Sequence, residues 1–113
     1  MAKATKETRI KKEKARLTEL FADLEPNKKA TCSALIDRAA FITVSLEDLE
    51  KLLNETGWVE YYQNGETQSG YKKAAAADCH ISLTKNLNAI IKQLLELVPA
   101  AQKRSKLEEL KNK

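Results

Sequence analysis

Apolar side chains recur along most of this chain at the three- and four-residue steps of a helix. Residues 3–24 predict a first helix, highly charged at its start, with Ile10, Leu17, Phe21 and Leu24 as a narrow apolar stripe. Glu25-Pro26-Asn27 ends it, because the position before a proline disfavours the helical conformation. A second helix is expected over about 28–55. Its seam of Leu35, Ala39, Ile42, Leu46, Leu49 and Leu53 alternates steps of four and three, the heptad spacing that packs along nearly a whole partner helix. Gly57 stands where a C-terminal cap belongs. Ser45 to Asp48 resembles a capping box, so an unbroken helix and a break near residue 45 both fit. A third helix over about 74–97 repeats the spacing through Leu83, Leu87, Ile90, Leu94 and Leu97, widened by Ile91, Leu95 and Val98. Pro99 interrupts it, and a short charged helix over roughly 101–112 follows, with Leu107, Leu110 and a capping box from Ser105 to Glu108.

The segment 57–73, GWVEYYQNGETQSGYKK, breaks this periodicity and holds all three glycines, the single Trp and all three Tyr. Asn64-Gly65 signals a turn, and β-prone residues precede it. A small hairpin and an ordered loop both satisfy these residues. Its aromatics read more readily as a cap on the end of a helical core than as a platform for stacking bases. The fold class expected is therefore all-α. A basic N-terminal helix (1–25) precedes a long antiparallel helical hairpin (26–99, helices about 28–55 and 74–97, joined by the aromatic, glycine-bearing loop), and a charged tail helix (100–113) closes the chain.

Composition makes the core thin: aromatics are only 5% of 113 residues, so self-association into a homo-oligomer is expected. Charge divides the chain into three. Residues 1–29 carry nine basic and five acidic side chains, net +4; residues 30–70 carry two and seven, net −5; residues 71–113 carry nine and four, net +5. Either basic end suits a polyanion, and opposite charges suit contacts between subunits. Most of the first excess lies in Lys3, Lys6, Arg9, Lys11, Lys12, Lys14 and Arg16, opposed within that run only by Glu7 and Glu13. Mobile cations at this density are what contact with DNA phosphates requires, and Lys103, Arg104 and Lys106 form a weaker cluster in the tail. The competing reading is a solvated helix laced by Glu–Lys pairs.

Catalytic chemistry finds little support. His80 sits beside Asp78 and Cys79, but adjacent helical positions point about 100° apart and cannot jointly grip one metal ion. It reads as a satisfied, partly buried histidine on the seam. Glu47, Asp48 and Glu50 read as a solvated helix face rather than an acid–base pair. Walker, GxSxG and HExxH patterns are all missing, so neither an enzyme nor a cofactor is expected. Cys32 and Cys79 suit reduced thiols, and no stretch approaches the roughly 20 apolar residues of a membrane span. The N-terminus alternates charge where a secretory leader would be apolar, and the expectation is a soluble, intracellular protein without a membrane partner.

One constellation is more specific. Gly57-Trp58-Val59-Glu60-Tyr61-Tyr62-Gln63-Asn64-Gly65, then Gln68 and Lys72-Lys73, precedes a helix ending Leu94-Leu95-Glu96-Leu97-Val98-Pro99, with Leu35-Ile36-Asp37-Arg38-Ala39-Ala40-Phe41 upstream. Over roughly residues 15–100 this resembles the terminase small subunits of tailed bacteriophages, its motif being Tyr62, Asn64, Gly65, Gln68, Lys72 and Lys73. The chain departs from that pattern at Ala74-Ala75, where a Ser-Pro pair is common. The resemblance implies a non-catalytic subunit that forms rings and binds double-stranded viral DNA in the host cell cytoplasm. It also implies a second partner, a terminase large subunit with ATPase and nuclease activities that the small subunit regulates. The alternative is a helical protein-binding module that touches no DNA.

Overall fold

Thr5 starts the first helix: its hydroxyl accepts the backbone N–H of Thr8 at 3.1 Å, satisfying a donor that a helix start leaves unpaired. In the computed structural model, which describes residues 5–66 and 68–112, α1 runs Lys6–Leu20. It ends before the apolar stripe does, because Phe21 and Leu24 lie in the turn that reverses the chain, and both remain buried there. Helix α2, Pro26–Thr56, places its proline in the first turn, where the missing N–H costs no hydrogen bond. It is unbroken at Ser45, which is buried mid-helix instead of capping a new one. Gly57 closes it with φ +95°, a conformation side chains resist, and its N–H reaches the Leu53 carbonyl at 2.7 Å.

The aromatic segment forms a β-hairpin. Strands β1, Val59–Asn64, and β2, Gln68–Lys73, pair antiparallel with Tyr61 opposite Tyr71 and Tyr62 opposite Gly70. Gly65 turns the chain with φ +74°. The molecule is thus mostly helical and broadly all-α, with one short addition: the described residues form four α-helices and a two-stranded sheet. Helix α3, Ala75–Glu96, follows, then a 3-10 turn at Ala100–Gln102 and α4, Lys103–Lys111. The chain enters α4 through that turn, so Ser105 lies inside the helix and the capping box expected at 105–108 does not form. No described helix is long and apolar enough to cross a membrane.

Helix α2 is the spine of the molecule. Helix α3 runs back along it, tied at one end by Lys28 Nζ donating to the Leu97 carbonyl and at the other by His80 with Glu50. Helix α1 runs back along it too, with Arg9 meeting Asp48 and Lys14 meeting Asp37. A helix flanked on two sides needs two buried stripes, and α2 has them. Ala39, Ile42, Leu46 and Leu53 belong to the seam read from the sequence, whereas Cys32, Ile36, Ala40 and Val44 form a second at steps of four. The principal core lies where α1 ends and α2 begins. Leu17, Phe21 and Leu24 meet Cys32, Ile36, Leu94 and Val98 there, and Leu110 of α4 packs against them. Measuring 63 × 38 × 22 Å, the molecule is elongated because α2 alone spans about 46 Å at 1.5 Å per residue.

Candidate nucleic-acid interface

The basic run of α1 divides by what each side chain touches. Arg9 turns toward α2 and donates to Asp48 Oδ1 at 2.6 Å and Glu47 Oε1 at 3.2 Å. Lys14 pairs with Asp37 at 2.7 Å, and the Lys6 ammonium sits 4.9 Å from the centre of the Phe41 ring. Arg16 grips Glu13 through both carboxylate oxygens, at 2.8 and 2.9 Å, and reaches the Glu109 carbonyl of α4 at 3.5 Å. Lys11 and Lys12 are exposed, and no ion pair of theirs occurs among the described residues. Lys3 lies outside the described residues.

These contacts change the reading of the middle of the chain. Glu47 and Asp48 are not a freely solvated helix face; they are half-exposed acceptors for Arg9. Hydrogen bonding to Asp48 is the largest influence holding the Arg9 guanidinium above its ordinary pKa, outweighing the desolvation that opposes it, with Glu47 adding to it. Glu13 acts likewise on Arg16, again chiefly through its hydrogen bond and against desolvation. Glu13 is itself buried at 5% exposure, unusual for a carboxylate, so the pair is part of the packing and not a surface ornament.

That geometry sets an expected outcome. Arg16→Met keeps the length of the side chain but removes both guanidinium bonds from a buried carboxylate. Stability should fall by roughly 1–3 kcal/mol, discounted from a fully buried pair because Arg16 is partly exposed. In urea denaturation the midpoint should drop, and Glu13→Gln added to Arg16→Met should recover part of the loss. An Arg16→Met midpoint equal to wild type would show that the pair contributes nothing to folding.

The tail divides in the same way. Lys106 is tied down, donating to the Leu20 carbonyl at 2.6 Å and pairing with Asp23 at 3.4 Å. Lys103 and Arg104 are exposed. Arg16 and Lys106 line one groove at the end of α1, but Glu19 and Glu109 line it as well, so the groove carries mixed charge. Lys11 and Lys14 share a shallow face of α1 with Ala15 and Thr18, while Lys12 borders the opposite side near Arg9 and Glu47. The cations singled out in the sequence therefore do not form one continuous patch.

Tyr62, Gly65, Gln68, Lys72 and Lys73, on which the resemblance was drawn, sit in the β-hairpin. The Tyr62 ring lies over Gly70, where an added Cβ would meet it at 3.4 Å, an ordinary contact distance. Lys72 pairs across the strands with Glu60 at 3.6 Å, and Lys73 pairs with Asp78 of α3 at 3.2 Å. Gln68 is the first residue of β2, its Cα opposite that of Asn64; the Asn64 side chain lies outside what is described. Of the aromatics, Trp58 stands edge-on to His80 with ring centres 5.3 Å apart and is 43% exposed. Tyr61 and Tyr71 are more exposed still. They pair edge-to-face at 5.7 Å on an open face of the sheet, and Tyr71 is 75% exposed.

His80 is half-buried between Trp58 and Glu50, whose Oε2 lies 2.9 Å from its Nε2. Among the described residues no group of three or more His, Cys, Asp or Glu is placed to hold a metal ion. Between α1 and α2 a cavity of about 250 Å³ is lined by Thr18, Phe21, Cys32 and Ile36, and burial pushes the Cys32 thiol up toward its neutral form. Sequence reasoning missed the role of Asp37, Glu47 and Asp48 as partners of α1. The available signal was the net −5 of residues 30–70 beside a basic first helix, which was read as a contact between subunits. Compared with family models, curated proteins and solved structures, the chain matches none of them.

Proposed function

We propose that the protein is the small, DNA-binding and oligomerising subunit of a viral genome-packaging terminase, presenting double-stranded DNA to a large ATPase and nuclease subunit and regulating it. The observation that carries this reading is the outer surface of α1. Arg9 and Arg16 anchor the helix, which leaves Lys11 and Lys12 exposed and Lys14 in only an exposed ion pair. Exposed pairs are weak and exchange readily for phosphate, so all three cations are available to a polyanion. Lys103 and Arg104 of α4 add to the same capacity. The resemblance of the Trp58–Lys73 segment to terminase small subunits supplies the biological setting, including the host cell cytoplasm. Assembly into a ring suits a thin, elongated subunit that leaves Leu52, Tyr71 and Ile81 exposed.

A titration of nuclease-free protein against duplex DNA between about 50 and 200 mM salt tests the proposal. Three or four cations per subunit should give a slope of log affinity against log salt of roughly −3 to −4. Absence of a shift at low salt, or binding indifferent to salt, would remove DNA from the function. A second reading, a module that binds protein only, is favoured by the intramolecular use of Arg9, Lys14, Arg16 and Lys106. The same titration separates the two.

A further inference from the structure

Helix α1 is held on the molecule in two different ways along its length. Its C-terminal half buries Leu17, with Phe21 and Leu24 following in the turn, in the principal core. Its N-terminal half contributes a half-buried Ile10 and ends at the buried Glu13 that Arg16 grips; it is held otherwise by charge: Arg9 on Asp48 and Glu47, Lys14 on Asp37, Lys6 over Phe41. All three acceptor carboxylates belong to α2, and all are between 42% and 53% exposed. Solvent therefore screens these contacts, and the first turns of α1 can lift while the apolar end stays seated.

The cations that make these contacts are members of the run proposed to meet DNA. From this we infer that the carboxylates of Asp37, Glu47 and Asp48 act as an intramolecular competitor for polyanion, so that docking of the α1 N-terminal half on α2 and binding of a nucleic-acid backbone through Arg9 and Lys14 exclude each other. The inference rests on the DNA-binding reading above and adds a regulatory step to it. A duplex presents closely spaced phosphates and releases counterions on binding, so it outcompetes half-exposed carboxylates once enough cations engage together. The acidic face of α2 then sets a threshold: short or sparse anions fail to open the helix and long duplexes succeed.

The full chain is compared as wild type, as Glu47→Gln with Asp48→Asn, and as a charge-matched control, Glu55→Gln with Glu66→Gln. The control residues lie at the end of α2 and in the β-turn, away from the contacts of α1. Duplex affinity and its salt slope are measured alongside amide hydrogen exchange. Release of Arg9 should tighten duplex binding about three- to tenfold at low salt beyond the control and steepen the slope by about 0.9, one more phosphate per subunit. Amides of residues 10–14 should exchange several-fold faster, with those of residues 17–20 unchanged. An equal gain in affinity by the control pair overturns the inference, since net charge alone then explains it. Unchanged exchange at residues 10–14 overturns it as well, because the ion pairs then do not hold the helix. Absence of duplex binding by all three proteins overturns the proposed function, and any exchange difference then marks the contacts as structural ties alone.

Discussion

Leu94→Ala should lower the stability of the fold by about 2–5 kcal/mol, and Leu94→Asp should abolish cooperative folding. Leu94 is fully buried near the end of α3, in the cluster where Leu17 of α1, Ile36 of α2 and Val98 come together. Its truncation leaves a cavity bounded by side chains from separate elements, which cannot all relax into it. A carboxylate at the same position would lose its hydration without a partner. A domain of this size is stable by only about 5–15 kcal/mol, so either change takes a large part of the total. Leu53→Ala should cost a similar amount, since Leu53 is also fully buried, just before the β-hairpin. Ile81→Asp is the contrast, at 41% exposure on α3, and should change stability by less than about 1 kcal/mol. Thermal melts followed by circular dichroism check all four, and a wild-type melt for Leu94→Asp would show that the core is elsewhere.

Replacing Lys11, Lys12 and Lys14 together with glutamine should flatten the salt slope of duplex binding by about 2.7, at roughly 0.9 per cation lost. Low-salt affinity should fall steeply, because Lys11 and Lys12 are exposed without an ion pair among the described residues and Lys14 has only an exposed one. Glutamine keeps good helix propensity, and none of the three side chains is buried, so far-ultraviolet circular dichroism should be unchanged. Among the described residues the ion pair lost is the exposed one of Lys14 with Asp37. Lys103→Gln with Arg104→Gln should have a smaller effect, because α4 contributes only two exposed cations of its first cluster. A triple variant with wild-type affinity and slope would move the DNA contact away from α1. It would leave Arg9 and Arg16 with the structural role their ion pairs already define.

Both experiments depend on separating cations that build the fold from cations that face outward, and periodicity alone does not separate them. Arg9 and Lys12 are three residues apart on the same helix, and each is a basic side chain. Only the path of α1 across α2 puts Asp48 within 2.6 Å of Arg9, a partner 39 positions away in the chain. Likewise Arg16 reads as one more surface charge until Glu13 is found buried beneath it. Local spacing anticipates the i to i+3 neighbour but not that the two will be covered by neighbouring elements.

The elements themselves were legible from residue order because helix periodicity and termination are local properties. Leu35 to Leu53 spelled one seam of α2, Glu25-Pro26 marked the break before it and Gly57 its end, the last two through backbone chemistry that acts within a few residues. The second stripe, Cys32, Ile36, Ala40 and Val44, escaped notice because the leucine seam already accounted for one partner helix, and nothing in the residue order required a second face of α2 to be covered. At residues 57–73 the β-prone side chains and the Asn64-Gly65 turn were equally compatible with a loop. Pairing of Val59 to Asn64 with Gln68 to Lys73 decided for strands, since a strand exists only when a partner satisfies its backbone. Charge shows the division most sharply. The excess of acid in the middle and base at the ends follows from composition. That much of it is cancelled inside one subunit follows from α1 folding back over α2, because Coulomb attraction depends on distance in space and not on separation along the chain.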